Sequence, residues 1–364
     1  MKPIKIAILS CAHGHARHYF EFANDPMYEL VAATQEPGFA RTSFLGEKLP
    51  VDLPIYESEE ELYEKHPDLE AVVIGSENSK HAQQTIDAAN RGIHSISMKV
   101  PTLDMDEYRA MVEAVERNHV VCMVELEMHG YAGPRRAIDL IRSGAIGELQ
   151  SINLVNYSLN PVWWSPWQCD PVLSYGKAMP LKPGDFRYRG GALTDHAHPM
   201  DLVRLMAGSD FDTVYANVTP NIREGVLTED MIHMIGTMKN GVTFSIDPSY
   251  ANNEHHVTET LDHYHWRSYP KTVEVFMSAV GTEGTIVGDI FNKTTYLQIG
   301  KDGEYQGAFE AYGMQGLWPS IYTEFYQCVR EGKTDYPSLR YHMNSMEAVV
   351  AAYESVYSGK PVKL

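Results

Sequence analysis

The sequence predicts an α/β plus α+β protein: a Rossmann-like, doubly wound parallel sheet followed by a C-terminal domain with a large, mainly antiparallel sheet. Three observations carry this expectation. Short apolar runs alternate with helical patterns up to about residue 128, as in a parallel sheet covered on both faces. Beyond residue 143 the runs lengthen and alternate apolar with polar side chains, as half-buried antiparallel strands do. A chain of 364 residues also exceeds what one hydrophobic core usually spans. The expected domains are residues 1–128 and 129–364, with the last helix packing back on the first domain.

In order, an apolar run at 5–10 leads through small and polar residues into a helical pattern carrying Tyr19, Phe20 and Phe22. Strands follow at 29–34, 71–74, 93–98 and 120–124, with helices at 81–91 and 105–118. The second half opens with a helix at 135–143 and continues with strands at 149–158, 212–218, 231–239, 243–250 and 272–279. Turns such as Lys239-Asn240-Gly241 separate them. Two helices, 321–331 and 343–357, close the chain, each stopped by a glycine, Gly332 and Gly359.

Composition excludes several function classes. A formal charge of -18 with scattered lysines and arginines leaves no basic stripe for a phosphate backbone, so neither nucleic acid nor an anionic membrane is an expected partner. Cys11, Cys122, Cys169 and Cys328 lie far apart, which suggests neither a disulfide framework nor a zinc ribbon. The opening MKPIKIAILSCAHGH lacks a long apolar segment and a cleavage site, and a cytoplasmic protein is expected.

A dinucleotide-binding turn needs small residues, so that backbone amides approach a pyrophosphate at a helix N-terminus. The turn here is Ser10-Cys11-Ala12-His13-Gly14-His15, with Ser10 and Ala12 at the first two glycine positions. Gly14 falls one place early and His15 stands at the third. An ordinary strand-to-helix turn explains the segment equally well. Where an acidic residue would bind the adenosine ribose stand Gln35 and Glu36, with no arginine beside them for a 2′-phosphate. The expected cofactor is NAD, with NADP the alternative; a solvated loop is the competing explanation of this pair.

Several segments together resemble the Gfo/Idh/MocA oxidoreductase family across nearly the whole chain. GSENSKH carries its NxxH as Asn78 and His81, and Ser97-Met98-Lys99-Val100-Pro101 resembles its EKP segment, with Met98 for Glu and Val100 inserted. IRSGAIGEL resembles the opening of its second domain, GGALTDHAHPMDLVRLMAG its substrate helix, GTEGT a recurrent turn and AVVAAYESVYSGKPVKL its C-terminal helix. The SCAHGHA turn and the Asp-His pair mark a divergent branch.

The resemblance implies that Lys99, Asp195 and His198 surround the nicotinamide and a substrate hydroxyl. The HxxD spacing is kept by His198 and Asp201, but Asp195 lies one residue closer to His198 than in the family, so either Asp195 or His196 holds the acid/base position. Chemistry gives the same roles: oxidation of an alcohol needs a base of near-neutral pKa, and His198 suits it. Lys99 would polarise the oxygen and stabilise developing negative charge, and Asp195 would orient the imidazole. Without the resemblance, Lys99 reads as a solvated lysine, His198 as a satisfied helix histidine and Asp195 as an N-cap.

Among 16 histidines, His196, His198, His233, His255 and His256 could converge on a metal. Two histidines two apart do not share a helical face, so no metal is expected. Trp163, Trp164 and Trp167 precede the candidate helix in a proline-rich stretch and suit stacking on sugar rings, or equally a subunit interface. The sequence thus points to an NAD(P)-dependent dehydrogenase acting on a secondary hydroxyl or ketone of a sugar, sugar acid or cyclitol, assembled as a homodimer or homotetramer through the C-terminal sheet. A redox-neutral lyase or glycosidase using tightly bound NAD transiently, and a non-catalytic nucleotide sensor, are the alternatives.

Overall fold

In the first half, short apolar strands and helical stretches alternate, and the chain lays them down as a fully parallel sheet. The structure, a computed structural model, describes residues 2–13, 15–35, 52–158, 166–250, 274–289, 294–299, 304–310, 317–333 and 338–364. It divides into two compact units, one of residues 1–125, 162–177 and 318–343, the other of residues 126–161, 178–317 and 344–364.

The first unit holds β1 (Ile4–Leu9), β2 (Tyr28–Thr34), β3 (Ile55–Tyr56), β4 (Ala71–Ile74), β5 (His94–Ser97) and β6 (Cys122–Val124). They run in the order β3-β2-β1-β4-β5-β6 and every pair is parallel. The order reverses between β1 and β4, the switch point where an open α/β sheet leaves a crevice at its carboxyl ends. Helices α1 (Ala16–Tyr19), α2 (Glu59–Lys65), α3 (Asn78–Asn90) and α4 (Met105–Arg117) make the connections.

Local chemistry explains their starts. The Ser58 hydroxyl accepts from the Glu61 N–H at 3.2 Å at the head of α2, whose first turn carries three glutamates toward the positive helix end. Asp104 accepts from the Asp106 N–H at 3.0 Å at the head of α4. Leu9, Leu62, Leu69, Val72, Ile74 and Ile93 close a core on one side of this sheet. The pattern through Phe22 gives a four-residue helix and then a 3-10 turn, Phe20–Asn24, rather than one long helix.

In the second unit, α5 (Ala132–Arg142) leads into β7 (Leu149–Tyr157). The further strands are β8 (Phe211–Val218), β9 (Ile232–Met238), β10 (Thr243–Ser249), β11 (Glu274–Gly281), β12 (Gly284–Asp289), β13 (Thr294–Ile299), β14 (Glu304–Glu310) and β15 (Val362–Lys363). They form one sheet in the order β14-β13-β12-β11-β7-β10-β9-β8-β15. Its pairs are antiparallel except β7 with β10, so the sheet is mixed. Its inner face carries Ile152, Leu154, Phe244, Ile246 and Met277, all buried, and α8 (His198–Ala207) packs against β7 and β10. The IRSGAIGEL and GTEGT segments meet: Glu283 N–H donates to the Ile146 carbonyl at 2.9 Å and Thr282 N–H to the Glu148 carbonyl at 3.0 Å.

The helix α9 (Leu317–Glu331) returns to the first unit, where Arg330 pairs with Glu70 at 2.8 Å and the Tyr326 hydroxyl donates to the Lys2 carbonyl at 3.2 Å. No helix among the described residues is long and apolar enough to cross a membrane.

Ile74 is fully buried at the end of a central parallel strand, whereas Ile222 is 59% exposed. Ile74→Ala is expected to destabilise the first unit by about 2–5 kcal/mol, and Ile222→Ala to stay within about 0.5 kcal/mol of the parent. Urea unfolding midpoints of the two variants check this.

Candidate active site

The first unit gathers polar side chains at the carboxyl ends of β1, β4, β5 and β6. Ser10 leaves β1 with φ at 64°, the left-handed region that usually calls for glycine. Its hydroxyl accepts from the Ala12 N–H at 3.3 Å and its own N–H donates to the Thr34 hydroxyl at 2.9 Å, local bonds that offset the unfavourable backbone. His13 N–H donates to the Gly75 carbonyl at 3.0 Å, and His15 N–H to the Nδ1 of His13 at 3.1 Å. Gly14 lies outside the described residues. Cys11 and Ala12 are buried, and the Trp167 indole N–H donates to the Ala12 carbonyl at 3.3 Å, its ring 5.7 Å from that of His13. Trp167 is therefore held on this turn by its own chain; Trp163 and Trp164 lie outside the described residues.

Asn78 opens α3 with its Oδ1 buried and without a hydrogen-bond partner, and the Nε2 of Gln35, just past β2, is in the same condition. Buried orphans of this kind are costly unless something else satisfies them. An acceptor beside the turn and a donor where a ribose hydroxyl is expected fit a dinucleotide. Glu36 lies outside the described residues. His81 does a different job: its ring lies 2.8 Å from the Val100 carbonyl and 3.0 Å from the Ser76 carbonyl, tying the α3 loop to the segment after β5. Burial pulls its pKa down to about 4, so the ring is neutral and donates to one carbonyl at a time.

Lys99 follows β5 and is only 4% exposed, which discards the solvated-lysine explanation. Close by is a residue that the sequence reading passed over, Glu125, the first residue beyond β6. It is 1% exposed, and the Tyr19 hydroxyl donates to its Oε2 at 2.7 Å. Burial pushes the Glu125 carboxyl up to about 8, against the opposing pulls of the Tyr19 hydrogen bond and the Lys99 charge. An acidic residue ending a buried strand, in Val124-Glu125-Leu126, was the available signal.

The second unit holds the other candidates. α7 (Ala192–Asp195) and α8 are separated by His196 and Ala197, and Asp195, His196, His198 and Asp201 are all buried. α8 has no side-chain cap, so Asp195 is not its N-cap. His196 Nε2 meets the Ser158 hydroxyl and lies 3.5 Å from Asp195 Oδ2, and its ring packs edge-on against Tyr250. Asp201, on the first turn of α8, lies 3.4 Å from the Nδ1 of His129, another residue that the sequence reading did not single out. His233 sits on β9, 3.4 Å from Asp247, away from the His196 arrangement. Among the described residues no group of three or more His, Cys, Asp and Glu could hold a metal ion; His255 and His256 lie outside them.

One carboxyl fixes the α7 loop. Glu229 accepts from the N–H groups of Gly191 at 3.0 Å and Leu193 at 3.1 Å and from the Tyr353 hydroxyl at 2.7 Å. Gly191 is required there, because a Cβ would stand 2.0 Å from the Glu229 carbonyl oxygen.

The chain belongs to the Gfo/Idh/MocA oxidoreductase family: residues 4–126 match its NAD-binding Rossmann fold and residues 185–364 its C-terminal alpha/beta domain. It is 27% identical over 279 residues to a levoglucosan dehydrogenase of Pseudarthrobacter phenanthrenivorans, covering 70% of this chain and 66% of that protein. It is 24% identical over 333 residues to the scyllo-inositol 2-dehydrogenase (NAD(+)) of Bacillus subtilis, covering 87% and 85%. An inositol dehydrogenase homologue from Azotobacter vinelandii, solved with NAD+, has the same fold, with a TM-score of 0.78 at 17% identity over 100% of this chain and 98% of that one.

Burial pushes Glu229 from an ordinary 4.5 up to about 7, against its hydrogen bonds. The folded state thus holds this proton more tightly than the unfolded chain. The resulting stability is fully present below about pH 4.5 and is lost as pH rises to about 7. Glu229→Gln, which cannot titrate, should show a stability deficit relative to the parent that shrinks between about pH 5 and about pH 8. Urea unfolding at the two pH values measures it, and a deficit that is constant or grows contradicts the assignment.

Proposed function

We propose that this protein is an NAD-dependent dehydrogenase that oxidises a secondary hydroxyl of a sugar, sugar acid or cyclitol, or reduces the matching ketone. NADP is the alternative cofactor. The observation that carries the reading is Lys99, a cation buried at the carboxyl end of β5 in a domain that matches the family's NAD-binding fold. The dehydrogenases of levoglucosan and scyllo-inositol among its relatives support the dehydrogenase reading and the substrate class.

The nicotinamide ring, when bound, supplies the hydride acceptor for the alcohol carbon. The protein's own groups manage the proton and the charge. His198 takes the hydroxyl proton, Lys99 donates to the same oxygen and stabilises the negative charge that builds on it, and Asp195 orients the acid/base group. His196, engaged by Ser158, is the second candidate for that group. The turn from Ser10 to His15, Gln35 and Asn78 hold the dinucleotide, with His81 fixing the loop and Trp167 backing the turn. Trp163 and Trp164 are proposed as sugar-stacking residues. Four cysteines spread far apart in sequence with no CxxC pair, and a buried free thiol at Cys122, fit a reducing, cytoplasmic setting.

The outer face of the second sheet suits self-association. Tyr215, Ile235, Phe276, Val280 and Val287 are exposed on strands paired from β8 through β12, and the cross-strand register puts them on one face. Five exposed apolar side chains on one continuous sheet face fit a partner surface of the same kind, hence a homodimer or homotetramer.

Lys99→Ala is expected to keep NADH binding within a few-fold, by fluorescence titration, and to lower turnover on a responsive sugar or inositol by about 100-fold or more. Unchanged turnover removes Lys99 from the chemistry, and failure of both NADH and NADPH to bind the parent protein defeats the reading. Ile235→Glu together with Phe276→Glu should reduce the assembly to a monomer in sedimentation or light scattering, and an unaltered mass rules out this face.

A further inference from the structure

Glu125 is placed to act on Lys99. Its backbone N–H donates to the Ser97 carbonyl at 2.8 Å, which sets it beside the end of β5, two residues before the lysine. The residue next to Lys99 is the apolar Met98, whose Sδ lies 3.7 Å from the Tyr19 hydroxyl. The same hydroxyl donates to Glu125 Oε2, and His15 Nδ1 stands 3.9 Å from that oxygen. Oε1 is buried and has no hydrogen-bond partner. The titratable groups facing the carboxyl among the described residues are thus Tyr19 from α1, His15 from the turn before it and Lys99 from the segment after β5.

We propose that Glu125 is a positioning residue for Lys99: from the end of the neighbouring strand it sets a buried carboxyl beside the buried lysine, and its protonation sets the net charge of the pair. With the proton on Glu125, the pair carries one positive charge in a water-poor site, the condition that favours a developing alkoxide. Loss of that proton neutralises the pair and cancels much of the lysine's field. Burial holds the proton up to about pH 8, so the charge is present at neutral pH and fades on the alkaline side. The Tyr19 hydroxyl tunes the changeover, because its hydrogen bond favours the ionised carboxyl.

The consequence for turnover rests on the dehydrogenase reading; the coupling itself does not. The test is NMR of protein carrying isotope-labelled lysine, with the Lys99 signal assigned by its loss in Lys99→Arg. In the parent the Lys99 signal should shift with a midpoint near pH 8, where Glu125 loses its proton. In Glu125→Gln that inflection should vanish, and in Tyr19→Phe it should move to higher pH. A Lys99 signal flat through this range in the parent, or an inflection that persists in Glu125→Gln, overturns the proposal. The alkaline limb of turnover should move upward in Glu125→Gln, and a limb that stays in place overturns the catalytic part. NMR coupling in a protein that turns over no sugar or inositol counts against the dehydrogenase reading and leaves the coupling standing.

Discussion

Gly75 sits where the chain leaving β4 passes the chain leaving β1, and the first unit depends on how close that passage is. Its N–H donates to the Leu9 carbonyl at 2.8 Å and its carbonyl accepts from His13. A Cβ at this position would meet the Ser10 carbonyl oxygen at 2.8 Å and the Tyr19 ring at 2.9 Å. Only a residue without a side chain lets both turns close over the switch point of the sheet. Two arrangements meet at it: Ser10 in its left-handed conformation and Tyr19 turned toward Glu125. The unusual SCAHGHA turn is viable because Ser10 replaces glycine's freedom with two hydrogen bonds of its own.

The second unit solves a related problem with a carboxyl as well as a glycine. The short α7 leaves N–H groups that no helical carbonyl can accept, and Glu229 reaches in from the segment before β9 to take two of them. The same carboxyl receives the Tyr353 hydroxyl from α10 (Leu339–Ser358). The position of Asp195 and His196 is thus set by a strand-side residue and a C-terminal tyrosine far away in sequence. Contacts of that range leave no local pattern to read.

That difference explains what the sequence revealed. The parallel strands were legible because residues buried on both faces leave unbroken apolar runs, such as Ala71-Val72-Val73-Ile74. The strands of the second half were legible by alternation, as in Leu149–Tyr157. β3 and β15, two residues each, carry too short a pattern to register, and the single parallel pair of β7 with β10 is a matter of topology that no local signal encodes. Lys99, His198 and Asp195 were singled out as candidates by their ordered segments. Glu125, Tyr19, His129 and Glu229 were not, because each gains its importance from a partner that only folding brings near.

The energetics of these partners bear on what kind of protein this is. Burying a carboxyl or an ammonium costs several kcal/mol unless partners offset it, and apolar replacements of similar volume are often as stable or more so. Lys99, Glu125, Asp201 and Glu229 are nevertheless all buried. Glu229 is offset by hydrogen bonds from three donors and has a structural explanation in the α7 loop. Glu125 has one, from Tyr19, and an oxygen left without any. Stability alone would favour an apolar residue at Glu125, next to a strand end that is otherwise Cys122, Met123 and Val124. The cost of a buried carboxyl with a single hydrogen-bond donor, set beside the strand end that carries a buried lysine, is intelligible as the cost of the chemistry proposed for this site.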